Sequence, residues 1–412
     1  MMKIVYTDAL SAESHTAEYI AKIVLKVIDE IGSQKVLAVC TDNASNMKKA
    51  WEIISETYPH IQAYGCLAHC LNLVFNDIMK VKSLSKLSAE SVAVLKEIKN
   101  SHKLTAMLKA EHLKSRNDPQ AEPEITPTMK TLKLSVKTRW GSTVNCLESL
   151  QSNKHSLQAL TINAESKSSI ESNTKKTILS EVFWDKVEGS LALLKPLADA
   201  IKNVEGDNVP LSIVMETFSK LENEIVKKVG KSPVLKSEED TVRGIIKKRK
   251  EFATKKIHFA ANLLDPNHRG CHLNDEEVVD AFQVLDEIAT SMPCVNGGKL
   301  FREIADYRSK QKLFHKPYIW NAVKHTTPST WWSGLCGSTE LSKIASQILN
   351  LPPTSAAVER SFSRHLHVHS AKRNRLTAER AGKLVYIGHN LQLIDDADNE
   401  PAALPSASEK WP

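Results

Sequence analysis

Residues 36–73 read VLAVCTDNASNMKKAWEIISETYPHIQAYGCLAHCLNL. Val36–Cys40 is a short apolar, β-branched run of the length of a buried strand, and it stops abruptly at Thr41-Asp42-Asn43. The pattern therefore puts a carboxylate at a strand tip. From Ala44 onward, Met47, Trp51, Ile53 and Ile54 recur at helical spacing, and Asn43 or Ser45 can cap the first turn. Ile61–Tyr64 reads as a second short strand, and Cys66-x-x-His69 opens an apolar helix over Leu71–Ile78. Strand, Asp, helix, strand, Cys-x-x-His, helix describes an α/β unit whose polar residues gather at one sheet edge, where open α/β sheets carry their sites. The alternative use of such an aspartate is to cap the helix that follows it.

Outward from this stretch, Lys3–Thr7 is strand-like, and the segment from Ser14 is an amphipathic helix. Tyr19, Ile20, Ile23, Val24, Val27 and Ile28 line one face of that helix, and Gly32 ends it. The 412 residues suffice for two domains, or for one domain with a large insertion. A formal charge of +7 favours an anionic partner such as nucleic acid. Seven scattered cysteines, an odd number, fit a reducing compartment better than a disulfide framework. No signal peptide and no apolar run of membrane-spanning length is visible.

Lys80–Glu111 carries helical patterning, and 117–128 is a proline- and acid-rich loop. In LKLSVKTRW (132–140), Arg139-Trp140 pairs a cation with an aromatic plane suited to phosphate or base contact; a core Trp beside a solvated Arg is the other reading. Ser152–Lys176 is polar and reads as a surface loop or helix connection. Phe183–Val204, Leu211–Val229 and the acidic Asp275–Ile288 read as helices. Lys247, Lys248, Arg249, Lys250, Lys255 and Lys256 form a basic cluster that could touch DNA phosphates, act as a nuclear address, or be the wet face of a helix. Tyr318, Trp320, Trp331 and Trp332 suggest a packing or assembly surface. Near the end, Thr354 or Ser355 can cap a helix beginning SAAVERSFS; His365, His367 and His369 alternate, and Lys372–Leu376 is basic.

Taken in order, Thr41–Met47, Cys66-x-x-His69, Thr138-Arg139-Trp140, Leu264-Asp265-Pro266-x-x-Arg269-Gly270, Trp331-Trp332, Ser355–Ser363 and Arg373–Leu376 resemble the signature of hAT-superfamily transposases across nearly the whole chain. The resemblance implies an α/β plus all-α protein, with an RNase H-like core split by a large helical insertion domain and followed by the hAT dimerisation region. The expected division is 1–145 for the first part of the core, 146–335 for the insertion, 336–395 for the rest of the core with the dimerisation region, and 396–412 for a tail. In such enzymes three carboxylates hold two divalent metals, Mg²⁺ or Mn²⁺, for DNA strand cleavage and transfer. Asp42 matches the second carboxylate and Glu359 the third.

The family places its first carboxylate on a strand upstream of this chain's first residue, and neither Asp8 nor Asp29 occupies that position. A zinc-binding BED finger is likewise not visible. The chain is therefore expected to be a truncated transposase-derived protein, nuclear, DNA-binding and dimerising, and catalytically inactive as given. An active strand-transferase is the alternative if the missing Asp is supplied upstream. Asp42 and Glu359 are expected to converge as metal ligands, with Cys66, His69, Arg139 and Trp140 nearby. Lys247, Lys248, Arg249, Lys250, Arg373 and Arg375 are expected at the DNA, and Trp331, Trp332 and Leu384 at the dimer contact.

Overall fold

The computed structural model describes residues 16–116, 131–135, 141–167, 169–206, 208–356 and 358–360, with 380, 383, 384, 386–388 and 391. Of the described residues 74% are helical and 2% lie in strands, so the sheet is a strip of two parallel strands. The strand expected over Lys3–Thr7 lies outside the described residues.

Chain contacts divide the protein into two compact units, one made of 1–63 and 354–412, the other of 64–353. In the first, α1 (Ala17–Ile31) starts at Thr16, whose hydroxyl accepts the Tyr19 N–H at 3.2 Å. The helix stops at Gly32, where φ of 91° removes the backbone from the helical region and favours a residue without Cβ. A short turn leads to β1 (Ala38–Thr41), then α2 (Ser45–Thr57) and β2 (Gln62–Gly65). The strands neighbour each other, and the register is set where the Gln62 N–H donates to the Leu37 carbonyl at 3.0 Å. Ile28 from α1, Ile54 from α2 and Ile61 before β2 meet in a core that Val24, Leu25, Val36, Val39 and Tyr58 surround. Each buried isoleucine contributes roughly 1.5–3 kcal/mol of transfer free energy.

The second unit is helical. It opens with α3 (Leu67–Met79), α4 (Lys82–Asn100) and α5 (His102–Arg116), and continues with α6 (Ser142–Gln151), α7 (Lys154–Ile162), α8 (Ala164–Lys167) and α9 (Ser172–Ile178). Ser152–Lys176, expected as a surface loop or helix connection, is thus largely helix. Its polar composition hides a narrow apolar stripe, since Leu157, Leu160 and Ile178 are buried, and a stripe of that width suffices for short helices that cover larger ones. The long α10 (Glu181–Val204) carries Pro196 in its interior, and α11 (Ile213–Val229) packs beside it.

Next come α12 (Glu239–Ala253), α13 (Lys256–Leu264) and α14 (Asp275–Ser291). The acidic α14 starts with a reciprocal cap, Asn274 Oδ1 accepting the Glu277 N–H at 2.9 Å while Glu277 accepts the Asn274 N–H at 2.8 Å. The unit closes with α15 (Gly297–Arg308), α16 (Pro317–Asn321), α17 (Pro328–Leu335) and α18 (Glu340–Ile348).

The chain enters and leaves this unit at one place. Tyr64 Oη donates to the Pro352 carbonyl at 2.9 Å, and the Leu67 N–H donates to the Pro353 carbonyl at 2.9 Å. Two residues 288 positions apart are thereby tied together. No helix among the described residues is long and apolar enough to cross a membrane.

Candidate functional site

Asp42 directly follows β1, at the strand tip that its sequence pattern indicates. Its Oδ1 accepts the N–H of Ala44, the residue that caps α2, at 2.9 Å. Neither Asn43 nor Ser45 is the cap; the turn is closed by the aspartate two residues upstream, which leaves its second oxygen outside this bond. Trp51, buried on α2, donates its Nε1 hydrogen to Thr41 Oγ1 at 3.0 Å and pins the helix to the strand end. The tip is therefore held from both sides of Asp42 while the carboxylate itself stays exposed.

Glu359 lies in the same compact unit, on a helical turn that begins after Thr354. Thr354 Oγ1 accepts the Ala356 N–H at 3.4 Å, and the Ser355 carbonyl accepts the N–H groups of Val358 and Glu359 at 2.9 and 3.2 Å. The Glu359 side chain is exposed. Of the two earlier aspartates, Asp8 lies outside the described residues, and Asp29 on α1 accepts the Tyr58 hydroxyl at 2.5 Å. Asp29 is thus used within the fold.

Cys66 and His69 belong to the other unit, at the start of α3, Cys66 buried and His69 half-buried. The neighbouring Cys70 is also buried, its thiol directed at the Arg249 carbonyl at 3.5 Å. Arg139, Trp140, Arg373 and Arg375 lie outside the described residues, as do His365, His367 and His369.

The basic cluster divides into two groups. Arg249 donates through Nε and Nη2 to Asp77 Oδ2, and its guanidinium lies 5.5 Å from the Phe252 ring centre. Burial alone would raise the Asp77 carboxyl, but hydrogen bonds from Lys80 and Arg249 more than offset it and hold it below its ordinary value. Lys250 pairs with Glu222 at 3.6 Å, and Lys256 with Asp280 at 2.8 Å. These three cations fasten α12 and α13 to their neighbours. Lys247, Lys248 and Lys255 stay exposed.

Trp331 and Trp332 are both 0% exposed, and their indole N–H groups donate to Ile319 and Leu264 carbonyls, each at 2.7 Å. Tyr307, Phe314 and Trp320 complete the aromatic cluster. These indoles build the unit from within and have no surface to offer a second copy. Leu384 behaves differently. The described residues between 380 and 391 are helical, and Leu384, Ile387 and Leu391, spaced three and four apart, are 48%, 53% and 55% exposed.

The remaining motif, Leu264-Asp265-Pro266-Asn267-His268-Arg269-Gly270, is a locked loop. Asp265 is 2% exposed, accepts the Ser212 hydroxyl at 2.5 Å and binds both the backbone and side-chain N–H of Asn267 at 2.9 Å. Gly270 has φ of 78°, and a Cβ there would lie 3.0 Å from Leu263 Cδ1. Arg269 rests 5.1 Å from the centre of the Trp320 ring. The motif is legible as a family signature, and its visible work is structural.

Comparison with known families adds to this geometry. The hAT family C-terminal dimerisation region matches residues 303–391, which end in the exposed apolar stripe. That match supports a likeness to the hAT-family transposases. A second match, described only as a domain of unknown function (DUF659) and found in hAT-like transposases, covers residues 3–109, with Asp42, Cys66 and His69 inside it. No curated protein matches the chain. The hAT match supports a transposase-derived dimerising protein.

Proposed function

We propose that this chain dimerises through the exposed face of 384–391, binds DNA phosphates without sequence preference, and does not cut DNA by itself. The observation that carries the reading is the stripe Leu384, Ile387 and Leu391, left about half exposed inside the matched dimerisation region. Three large apolar side chains on one helix face, with no cover from the protein's own described residues, form a surface that gains from burial against a second copy.

The DNA part rests on Lys247, Lys248 and Lys255, which keep their charges facing solvent, and on Arg373 and Arg375 by the family pattern. A nucleus is the compartment where such a protein meets its partner, and the RNase H-like core is the scaffold the reading assumes for Asp42 and Glu359.

For cleavage, two Mg²⁺ or Mn²⁺ ions need a bridging set of carboxylates at fixed separation. Asp42 and Glu359 share a compact unit, but Asp29 is committed to Tyr58, and no trio of carboxylates gathers around Asp42 among the described residues. Two anchors hold a metal pair poorly, and displacement by about an ångström costs on the order of a hundredfold in rate.

The test joins light scattering to a nicking assay. The parent chain is expected to run as a dimer at tens of micromolar, and Leu384→Asp with Ile387→Asp as a monomer of unchanged helicity. Supercoiled plasmid with Mg²⁺ or Mn²⁺ is expected to stay intact. A monomeric parent overturns the dimer assignment, and nicking that Asp42→Ala and Glu359→Ala both abolish restores the active strand-transferase reading.

A further inference from the structure

The loop after α13 brings together three side chains that the transposase reading leaves unused. Among the described residues, His268, Cys271 and His272 are the trio whose ligand atoms, one from each, all lie within 4.8 Å of one another. They come from one five-residue stretch, His268-Arg269-Gly270-Cys271-His272, far too short for helical or strand periodicity to bring them together. What converges them is the backbone. Arg269 and Gly270 take φ of 51° and 78°, and this left-handed pair turns the chain back on itself. The turn is closed by the His268 and Arg269 N–H groups on the Asp265 carbonyl, at 3.0 and 2.8 Å. It is reinforced by the Gly270 N–H on Asn262 at 3.2 Å and the Cys271 N–H on His268 at 3.0 Å.

The surroundings are those of a held ligand set. His268 donates Nε2–H to Glu216 Oε2 at 3.1 Å, from α11, and Glu216 is itself held by Lys220. A carboxylate on one ring nitrogen fixes the tautomer and leaves the other nitrogen's lone pair for a metal, as carboxylates do behind metal-bound imidazoles. The two imidazole rings lie 5.4 Å apart, centre to centre. Cys271 is a free and exposed thiol, so it can rotate without displacing core atoms.

We propose that His268, Cys271 and His272 form a zinc site with two imidazole ligands, one thiolate and a fourth position open to water. Tetrahedral zinc requires ligand atoms about 3.3–3.7 Å apart, so the cluster must contract by up to about 1 Å on binding, with the exposed Cys271 free to rotate toward the ion. Two nitrogens and a sulfur suit Zn²⁺, whereas Mg²⁺ or Mn²⁺ at Asp42 and Glu359 would call for oxygen alone. The site is independent of strand cleavage and of dimerisation. A bound ion would join the turn to α11 through His268 and Glu216, and would offer one exchangeable position at the surface of the helical unit.

The test uses tag-free, reduced protein titrated with Co²⁺ as a spectroscopic stand-in and with Zn²⁺ in competition. One ion per chain is expected, with a thiolate-to-cobalt charge-transfer band and d–d bands of tetrahedral intensity. Cys271→Ser should remove the charge-transfer band, and His272→Ala should weaken binding at least about tenfold. Glu216→Gln should weaken it about ten- to a hundredfold by releasing His268. Cys294→Ser, at another exposed thiol, and Asp42→Ala should leave stoichiometry and affinity unchanged.

Circular dichroism checks that each variant keeps its helices. Should a loop variant lose them, alkylation of the parent chain decides: Zn²⁺ should protect Cys271 and spare Cys294. Absence of stoichiometric binding, parental affinity in Cys271→Ser, or equal alkylation of the two thiols with and without Zn²⁺ would overturn the site.

Discussion

His258 sits wholly inside the helical unit, its Nδ1 accepting the Lys255 N–H at 2.9 Å and its ring edge-on to Tyr64 at 5.1 Å. Burial pushes its basicity down to about 3, because a charged imidazole would lose its water there. In the unfolded chain the same group titrates near 6.5. A depressed value means that the folded form is favoured fully above about pH 6.5. That advantage fades as pH falls towards 3, by up to about 1.4 kcal/mol per unit. In His258→Asn, which keeps an acceptor for Lys255, acidification from pH 7 to 5 should therefore cost about 2 kcal/mol less than in the parent, read by urea unfolding. Equal losses would show that His258 titrates freely in the fold.

Single residues also mark how far the sequence could be read. Asp42 at a strand tip was legible because an apolar run ended in a carboxylate. That Asp42 closes the turn ahead of α2, in place of Asn43 or Ser45, is a matter of one backbone torsion that several polar residues could have served. His268, Cys271 and His272 do not stand out in the sequence because they lie in a loop, where no period links residues and proximity depends on two left-handed torsions.

At the level of elements, α12 shows why a run of like charge is a poor guide to binding. Composition cannot separate Arg249, bound to Asp77, from Lys247 and Lys248, its near neighbours in sequence, which face solvent. Arg249→Ala is expected to destabilise the protein by about 1–2 kcal/mol, since it leaves the half-buried Asp77 carboxylate with Lys80 as its remaining ion-pair partner and unties α12 from α3. Lys247→Ala with Lys248→Ala should stay within about 0.5 kcal/mol for each substitution. On DNA the order reverses. Replacing Lys247, Lys248 and Lys255 together should flatten the salt dependence of binding by up to about 0.9 for each phosphate no longer neutralised, whereas Arg249→Ala should leave the slope unchanged. Electrophoretic shifts at several salt concentrations would expose the opposite ordering if Arg249 were the residue that meets DNA.

The long helices α10, α11 and α14 are plain from their apolar spacing, whereas α7 and α9 are hidden by Ser, Asn and Lys on their wet faces.

For the whole molecule, the contacts set 64–353 between two segments of the other unit, so their breaks fall at 63/64 and 353/354 and not at the expected 145/146 and 335/336. What no pattern in the sequence could show was the junction, because Tyr64 and Pro352 are ordinary residues whose partnership depends on everything folded between them.

That junction has a kinetic meaning. Joining two points 288 residues apart in a disordered chain costs about 5 kcal/mol of loop-closure entropy. Once the helical unit has formed, its own packing has already brought Tyr64 beside Pro352, and the separated halves of the α1–β1–α2 unit inherit that closeness without further loss. The helical unit should thus act as the template and fold ahead of its host. In pulsed hydrogen exchange during refolding, amides of α10, α11 and α13 should become protected before those of α1 and α2, and the reverse sequence would show that the host nucleates on its N-terminal segment alone.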